Sequence, residues 1–138
     1  MRAIIAPPQH YPWLCQRAGV TPGPEFRALE VVDDDWGIHA MAGFDGWTDN
    51  AVNMHVACRN PLVIRSLARA AFTMAFITCG KRIALCTVKG TNERSLRLVR
   101  GVGFREVFRG KDYFADGVDF VGHEMTRAEC RWLPRGVN

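Results

Sequence analysis

Apolar positions come along the chain first in short blocks, then at helical spacing, then in blocks again, and this order predicts the elements. The stretch EFRALEVV (25–32) alternates at Phe26 and Ala28 before its apolar run, and DDDWG behind it is a turn signal. A strand and a tight turn are expected there. GIHAMAGF (37–44) and AVNMHVAC (51–58) are two further strand patterns, and the DGWTDN between them suits a hairpin loop. Three consecutive antiparallel strands are the simplest arrangement of these blocks.

The period then changes. Asn60 is placed to cap a helix that starts at Pro61 and runs to about Thr78, with Gly80 as its stop. Leu62, Leu67, Ala70, Ala71, Met74 and Ile77 fall near one face of it, opposite Arg65, Arg69 and Thr73. RIALCTVK (82–89) is a compact apolar run of the buried-strand type, and a strand reached through a helix implies parallel pairing. Asn92 caps a second helix ending near Gly101, with Ser95, Leu96, Leu98, Val99 and Val102 inside and Arg94, Arg97 and Arg100 outside. FREVFRG (104–110) and FVGHEMTR (120–127) close the fold, with Phe104, Val107, Phe120, Val121 and Met125 expected in the core.

Composition narrows the class without moving these elements. A chain of 138 residues with 48% hydrophobic and 23% charged residues is the size and makeup of one folded domain. Residues 1–24, rich in proline and aromatics and ending in TPGP, read as a loosely structured lead-in with a short helix near Leu14 to Gly19; the regular domain is expected over 25–138. The net charge of +4 suits an anionic partner of modest size, such as a cofactor phosphate. Five cysteines without a C-x-x-C pair read as reduced packing residues of a cytoplasmic protein. The interrupted apolar run at the N-terminus fits no signal segment, and AAFTMAFITC is about half of the ~20 residues a membrane span needs. The four histidines show no ligand spacing with the cysteines, so no metal is expected.

Asn92, Ser95, Gly103 and Phe104 form an N-x-x-S segment followed by G-F. With MHVAC before the long helix, FREVFRG directly at that G-F and the ending DFVGHEMTRAECRWL, the second half resembles the GNAT superfamily of N-acetyltransferases. The resemblance covers about 85 residues and points to a small branch often encoded by phages and prophages. It implies an α/β (α+β) fold, a mixed and mainly antiparallel central sheet flanked by helices. It also implies acetyl-CoA as cosubstrate and an amine as acceptor. Two positions depart from the family. RNPLVI (59–64) stands where a pyrophosphate signature rich in small residues is usual, and Val99 stands where a tyrosine often protonates the departing thiolate.

Acetyl transfer requires a base for the amine and a hydrogen-bond donor for the oxyanion. The resemblance places Val56, Ala57 and Cys58 along the pantetheine, with strand 51–58 supplying the backbone donor. It places Arg59, Leu62, Val63, Ile64, Arg65 and Arg100 toward the phosphates, where a helix's opening N–H groups would serve as a cradle. Asn92 and Ser95 are expected on the cofactor side, Ser95 also as a catalytic donor toward sulfur; an ordinary cap and a helix-bonded serine are the alternatives. His55 is a candidate proton relay or a hydrogen-bonded strand histidine. His39, Asp45 and Asp49 are candidate acceptor contacts or solvated turn residues. Cys58 lacks a well-placed base for a nucleophilic role.

Three function classes remain open at this point. The first is an acetyl-CoA-dependent N-acetyltransferase working by direct attack in a ternary complex. The second is a catalytically degenerate GNAT-fold interaction module. The third is a basic nucleic-acid-binding domain that uses the arginine stripe, although a strand rather than a helix precedes that stripe. Pairing of closing strands between two copies would make a homodimer, with Trp132 and Leu133 as an apolar contact or a cap on the core.

Overall fold

The computed structural model describes residues 1–134 and Gly136. Seven strands form one sheet: β1 (Arg2–Ile5), β2 (Arg27–Val32), β3 (Ile38–Asp45), β4 (Ala51–Cys58), β5 (Ile83–Lys89), β6 (Arg105–Ala115) and β7 (Val118–Thr126). Their order across the sheet is β1-β2-β3-β4-β5-β7-β6. All neighbours are antiparallel except β4 and β5. Helices α1 (Tyr11–Ala18), α2 (Ile64–Phe72) and α3 (Glu93–Val102) complete it. The expected fold class and the expected strand and helix order after residue 25 are what the structure contains.

The lead-in differs from expectation. Regular structure begins at Arg2 rather than after Pro24, because Arg2–Ile5 pairs with residues 29–32 of β2. Helix α1 then buries Leu14 against Phe26, Ala28, Met41 and Ala57. Pro7 and Pro8 end the strand without preventing it, since an edge strand needs donors along one side only. Glu30, fully buried in β2, is held by His10 Nδ1 at 2.8 Å.

The long helix holds a second correction. It opens with a 3-10 turn, Pro61–Val63, continues as α2 and ends as a π-helical segment, Thr73–Thr78. Its buried positions are Val63, Leu67, Ala68, Ala71, Phe72, Ala75 and Phe76, whereas Leu62 is 89% exposed and Ala70, Met74 and Ile77 are half-buried. These residues run in steps of four, wider than the α-helical 3.6. The widened π segment, with Cys79 N–H bonded to Met74 O at 2.9 Å, keeps that stripe on the sheet. By length and mean hydropathy, 1.3, the stretch Pro61–Thr78 could cross a bilayer; here its buried face covers the sheet.

The core on this face joins α2 and α3 to Val31, Phe44, Val52, Ala84, Phe104, Val121 and Met125. Phe120 is half-buried, and Val107 is exposed, against expectation. Val107 lies on β6, an edge strand of the sheet. Its neighbours Phe108, Tyr113 and Phe114 are exposed as well. Trp132 and Leu133 pack on the core edge, and Trp132 Nε1 donates to Val102 O at 2.8 Å.

Candidate active site

Strands β4 and β5 are paired only over Ala51–Asn53 and Ile83–Leu85. Beyond Asn53 the edge of β4 that faces β5 has no strand partner among the described residues, although its other edge stays paired with β3 as far as Cys58. Parting strands leave backbone donors and acceptors free along a slot, a place where an extended ligand can bind as an added strand.

Two cavities meet in this slot, of about 550 and 520 Å³. They share Arg17, Val56, Asn92, Ser95 and Leu98. The first reaches the start of the long helix and is lined further by Ala57, Cys58, Arg59, Pro61, Ile64 and Arg94. The second opens between the end of α1 and β5, with Gln16, His55, Thr87, Lys89, Val99 and Phe114 in its wall. Among the described residues no carboxylate lines either one.

Most of the expected positions converge on the slot. Val56, Ala57, Cys58, Arg59, Ile64, Asn92, Ser95 and His55 all line it. Asn92 is also the cap of α3, its Oδ1 accepting from Ser95 N–H at 3.1 Å. Val63 instead turns into the core at 4% exposure, Leu62 faces away, and Arg65 lines neither cavity. Arg100 sits toward the far end of α3 and bonds Glu106 at 3.2 Å. Arg94, two turns earlier, takes the position at the slot expected of Arg100. Arg97 lies 4.0 Å from Glu93, so the outer arginine stripe divides between slot, ion pairs and water.

The expected amide cradle at residues 59–64 is already engaged. Arg59 and Asn60 N–H donate to His39 O at 2.8 and 3.3 Å. Leu62 N–H donates to Asn60 Oδ1 at 3.1 Å and Val63 N–H to Asn60 O at 3.1 Å. Ile64 N–H donates to Pro61 O, and proline has no N–H. The cap and the 3-10 turn thus satisfy the donors that a phosphate would need. Positive charge at this end comes instead from the guanidinium groups of Arg59, Arg94 and Arg17, side chains that can meet phosphate bidentately. Arg17, held over the Trp13 ring at 4.1 Å, comes from the stretch expected to be a loose lead-in.

On the opposite face of the sheet His55 Nε2 bonds Asp45 Oδ1 at 2.7 Å. A carboxylate only accepts, so Nε2 carries the proton and Nδ1 is the ring's basic nitrogen. Gly43, across from His55 in the register, has no side chain, and Phe26 and Leu14 fill that space. Phe26 lies roughly parallel to the imidazole with centroids 6.5 Å apart. His39 is placed elsewhere. Its Nε2 bonds Asp33 at 2.8 Å and its Nδ1 faces Asn60 Nδ2 at 3.3 Å, so it braces the loop before the helix. Its proton is the main cause holding the Asp33 carboxyl below its usual range, helped by Gly37 N–H. Asp49 is exposed in the β3–β4 turn, at the end of β4 away from Cys58, and lines neither cavity.

Cys58 is not set up as a nucleophile. Burial pushes its thiol pKa up, only partly offset by the Asn60 backbone and by Arg94, and the S–H donates to Asn60 O at 3.1 Å, a bond that favours the thiol over the thiolate. Among the described residues no three His, Cys, Asp or Glu side chains are grouped to hold a metal ion.

No protein-family model matches the chain, and no curated protein matches it in sequence. Solved structures match its fold. A dodecameric spermidine N-acetyltransferase from Vibrio cholerae superimposes with a TM-score of 0.75 at 10% identity, over 91% of this chain and 93% of that one. A manganese complex of the spermidine/spermine enzyme from the same organism gives 0.73 at 10% identity, over 90% and 91%. A protein provisionally assigned as a phosphinothricin N-acetyltransferase gives 0.69 at 18% identity, over 90% and 96%. The fold is that of the GNAT N-acetyltransferases.

Proposed function

We propose that the protein is an acetyl-CoA-dependent N-acetyltransferase that moves an acetyl group to a primary amine within a ternary complex, a cytoplasmic member of the small phage and prophage branch. The observation that carries this reading is the slot between β4 and β5, cationic at one end and furnished with a carboxylate-held histidine at the other. Acetyl-CoA has the matching chemistry, an anionic diphosphate joined by a long amide-bearing arm to a thioester. That thioester supplies the acyl carbon on which the amine nitrogen forms its bond as the carbon–sulfur bond breaks.

The chain's own residues then divide the work. Arg59, Arg94 and Arg17 hold the phosphates, and the free edge of β4 beyond Asn53 bonds the arm and donates N–H to the oxygen on which charge develops. His55 takes the amine proton at Nδ1, with Asp45 fixing the tautomer and stabilising the imidazolium. The Ser95 hydroxyl lines the slot one helical turn before Val99, and it donates a hydrogen bond to the departing sulfur in place of the absent tyrosine. The leaving thiolate takes its proton from solvent.

The test is thermal unfolding with and without acetyl-CoA, followed by free-thiol release with a panel of amines. A ligand bound only by the folded state at about 100 times its Kd raises stability by about 2.7 kcal/mol, a shift that is easy to read. The engaged amides at 59–64 and Val99 favour a second reading, a catalytically silent interaction module of the same fold. Saturating acetyl-CoA that leaves the melting temperature unchanged would decide for it.

A further inference from the structure

The acceptor end of the slot has a charge character of its own. Its wall brings together Thr87 and Lys89 from β5, Phe114 from β6, His55, and the last turn of α1 with Arg17. The Lys89 ammonium lies 5.1 Å above the Phe114 ring, and no described carboxylate pairs with it. Asp45 is the carboxylate beside His55, and its Oδ1 is taken by that ring. The hairpin cation Arg109, by contrast, is neutralised by Glu106 and Asp119 at 3.0 and 2.9 Å.

Resting on the acetyltransferase reading, we infer that the acceptor is an amine that also carries an anionic group, a carboxylate or a phosphate, and that Lys89 is the residue that selects it. A polyamine would bring its ammonium groups to a wall that holds Lys89 and Arg17 and offers no carboxylate to receive them. An amine with an anionic group meets the reverse arrangement. Its anion faces Lys89, which the Phe114 ring holds at the wall. Its amino end faces His55, the group placed to take its proton. Arg17 is shared with the phosphate end, so Lys89 is the cleaner probe.

The experiment compares matched acceptors in the full-length protein: glutamate against its diamide, phosphoethanolamine against ethanolamine, and spermidine. With saturating acetyl-CoA, the anionic member of a pair is the better substrate. The Lys89→Met variant lowers its kcat/KM relative to the neutral member by about tenfold or more, the loss of one charge-assisted hydrogen bond. The carboxylate and phosphate pairs tell the two anions apart. Without acetyl-CoA, the preferred anionic amine raises the melting temperature of the wild type and not of Lys89→Met. Preference for spermidine or for the neutral partners, equal losses for both members, or no stabilisation by either anion would overturn the inference. Spermidine acetylation without anionic acceptors would sink the inference alone; failure of acetyl-CoA to bind would sink the underlying reading, and the binding arm still decides for Lys89.

Discussion

Replacing His55 with glutamine separates a catalytic role from a structural one, because the two predict effects of different size. A positioned general base contributes about 10²–10⁴ in rate, which is about 2.7–5.5 kcal/mol at about 1.36 kcal/mol per decade. The structural loss is smaller. The bond to Asp45 joins side chains that are 19% and 29% exposed, so water reaches the freed carboxylate and the bond is worth about 1 kcal/mol or less. For a chain of this size that lowers Tm by roughly 3–5 °C. His55→Gln is therefore expected to melt a few degrees lower, still be stabilised by acetyl-CoA, and lose at least about a hundredfold in kcat. Asp45→Asn should fall in the same direction. An asparagine amide can donate to Nε2, and the ring proton then moves to Nδ1, where the base is needed. The assay is free-thiol release at saturating acetyl-CoA with the best acceptor, run beside thermal melts of each variant. Retention of kcat within about threefold in His55→Gln would refute the base assignment. A large loss of acetyl-CoA binding would instead assign His55 to the architecture of the slot.

Two predictions concern the faces on either side of that site. A Cβ built on Gly43 would stand 2.6 Å from Leu14 Cδ2 and closer still to the Phe26 ring, so Gly43→Ala overpacks the α1 side. Urea unfolding should show a loss of about 1–3 kcal/mol, and unchanged stability would mean that α1 shifts freely. His123 is 1% exposed on β7, with neither ring nitrogen in hydrogen-bonding geometry to a partner. Burial and then Arg100 lower its pKa, opposed only in part by Glu106 and by the backbone of Cys86 and Val121. The folded protein therefore keeps this ring neutral where the unfolded chain already binds a proton. Its contribution to stability is complete above the unfolded value of about 6.5 and is lost as pH falls from there toward the lowered value. Urea unfolding between pH 8 and 5 should steepen in the wild type relative to His123→Leu, and parallel curves would show that the ring titrates alike in both states.

How far the sequence carried these assignments depended on whether each feature was local. The strands over 27–32, 38–45 and 51–58 follow from apolar alternation between turn residues, and the structure adds little to them. The long helix was legible in extent but only partly in phase: Leu67 and Ala71 are buried as expected, and beyond Phe72 the π segment keeps a step of four where a 3.6-residue template drifts away. The N-terminal strand was missed because Pro7 and Pro8 outweighed RAII, whose pairing is supplied by β2, 25 residues later in the chain. Arg17, Lys89 and Phe114 were beyond local reading altogether, since only the parting of β4 from β5 brings them to one wall. Local pattern gives Lys89 no more than its place with Thr87 as the polar end of a strand face that Ile83 and Leu85 begin, opposite Ala84, Cys86 and Val88.

The helix start at 59–64 joins these local and nonlocal features. Asn60 before Pro61 was readable as a cap, and the physics of a cap already states that its side chain occupies an opening N–H of the helix. A cap made by Asn60 and a phosphate cradle made from the same amides compete for the same donors, and in the structure the cap holds them. If acetyl-CoA binds, its phosphates must therefore rely on Arg59, Arg94 and Arg17, charges carried on three separate elements. Phosphate affinity built from mobile guanidinium groups is screened by salt far more than affinity built from fixed amide dipoles within a helix turn. Acetyl-CoA affinity in this protein should accordingly weaken steeply between 50 and 500 mM salt, and Arg94→Gln should flatten that dependence. A salt-independent affinity would mean that the 3-10 turn opens and returns its amides to the ligand.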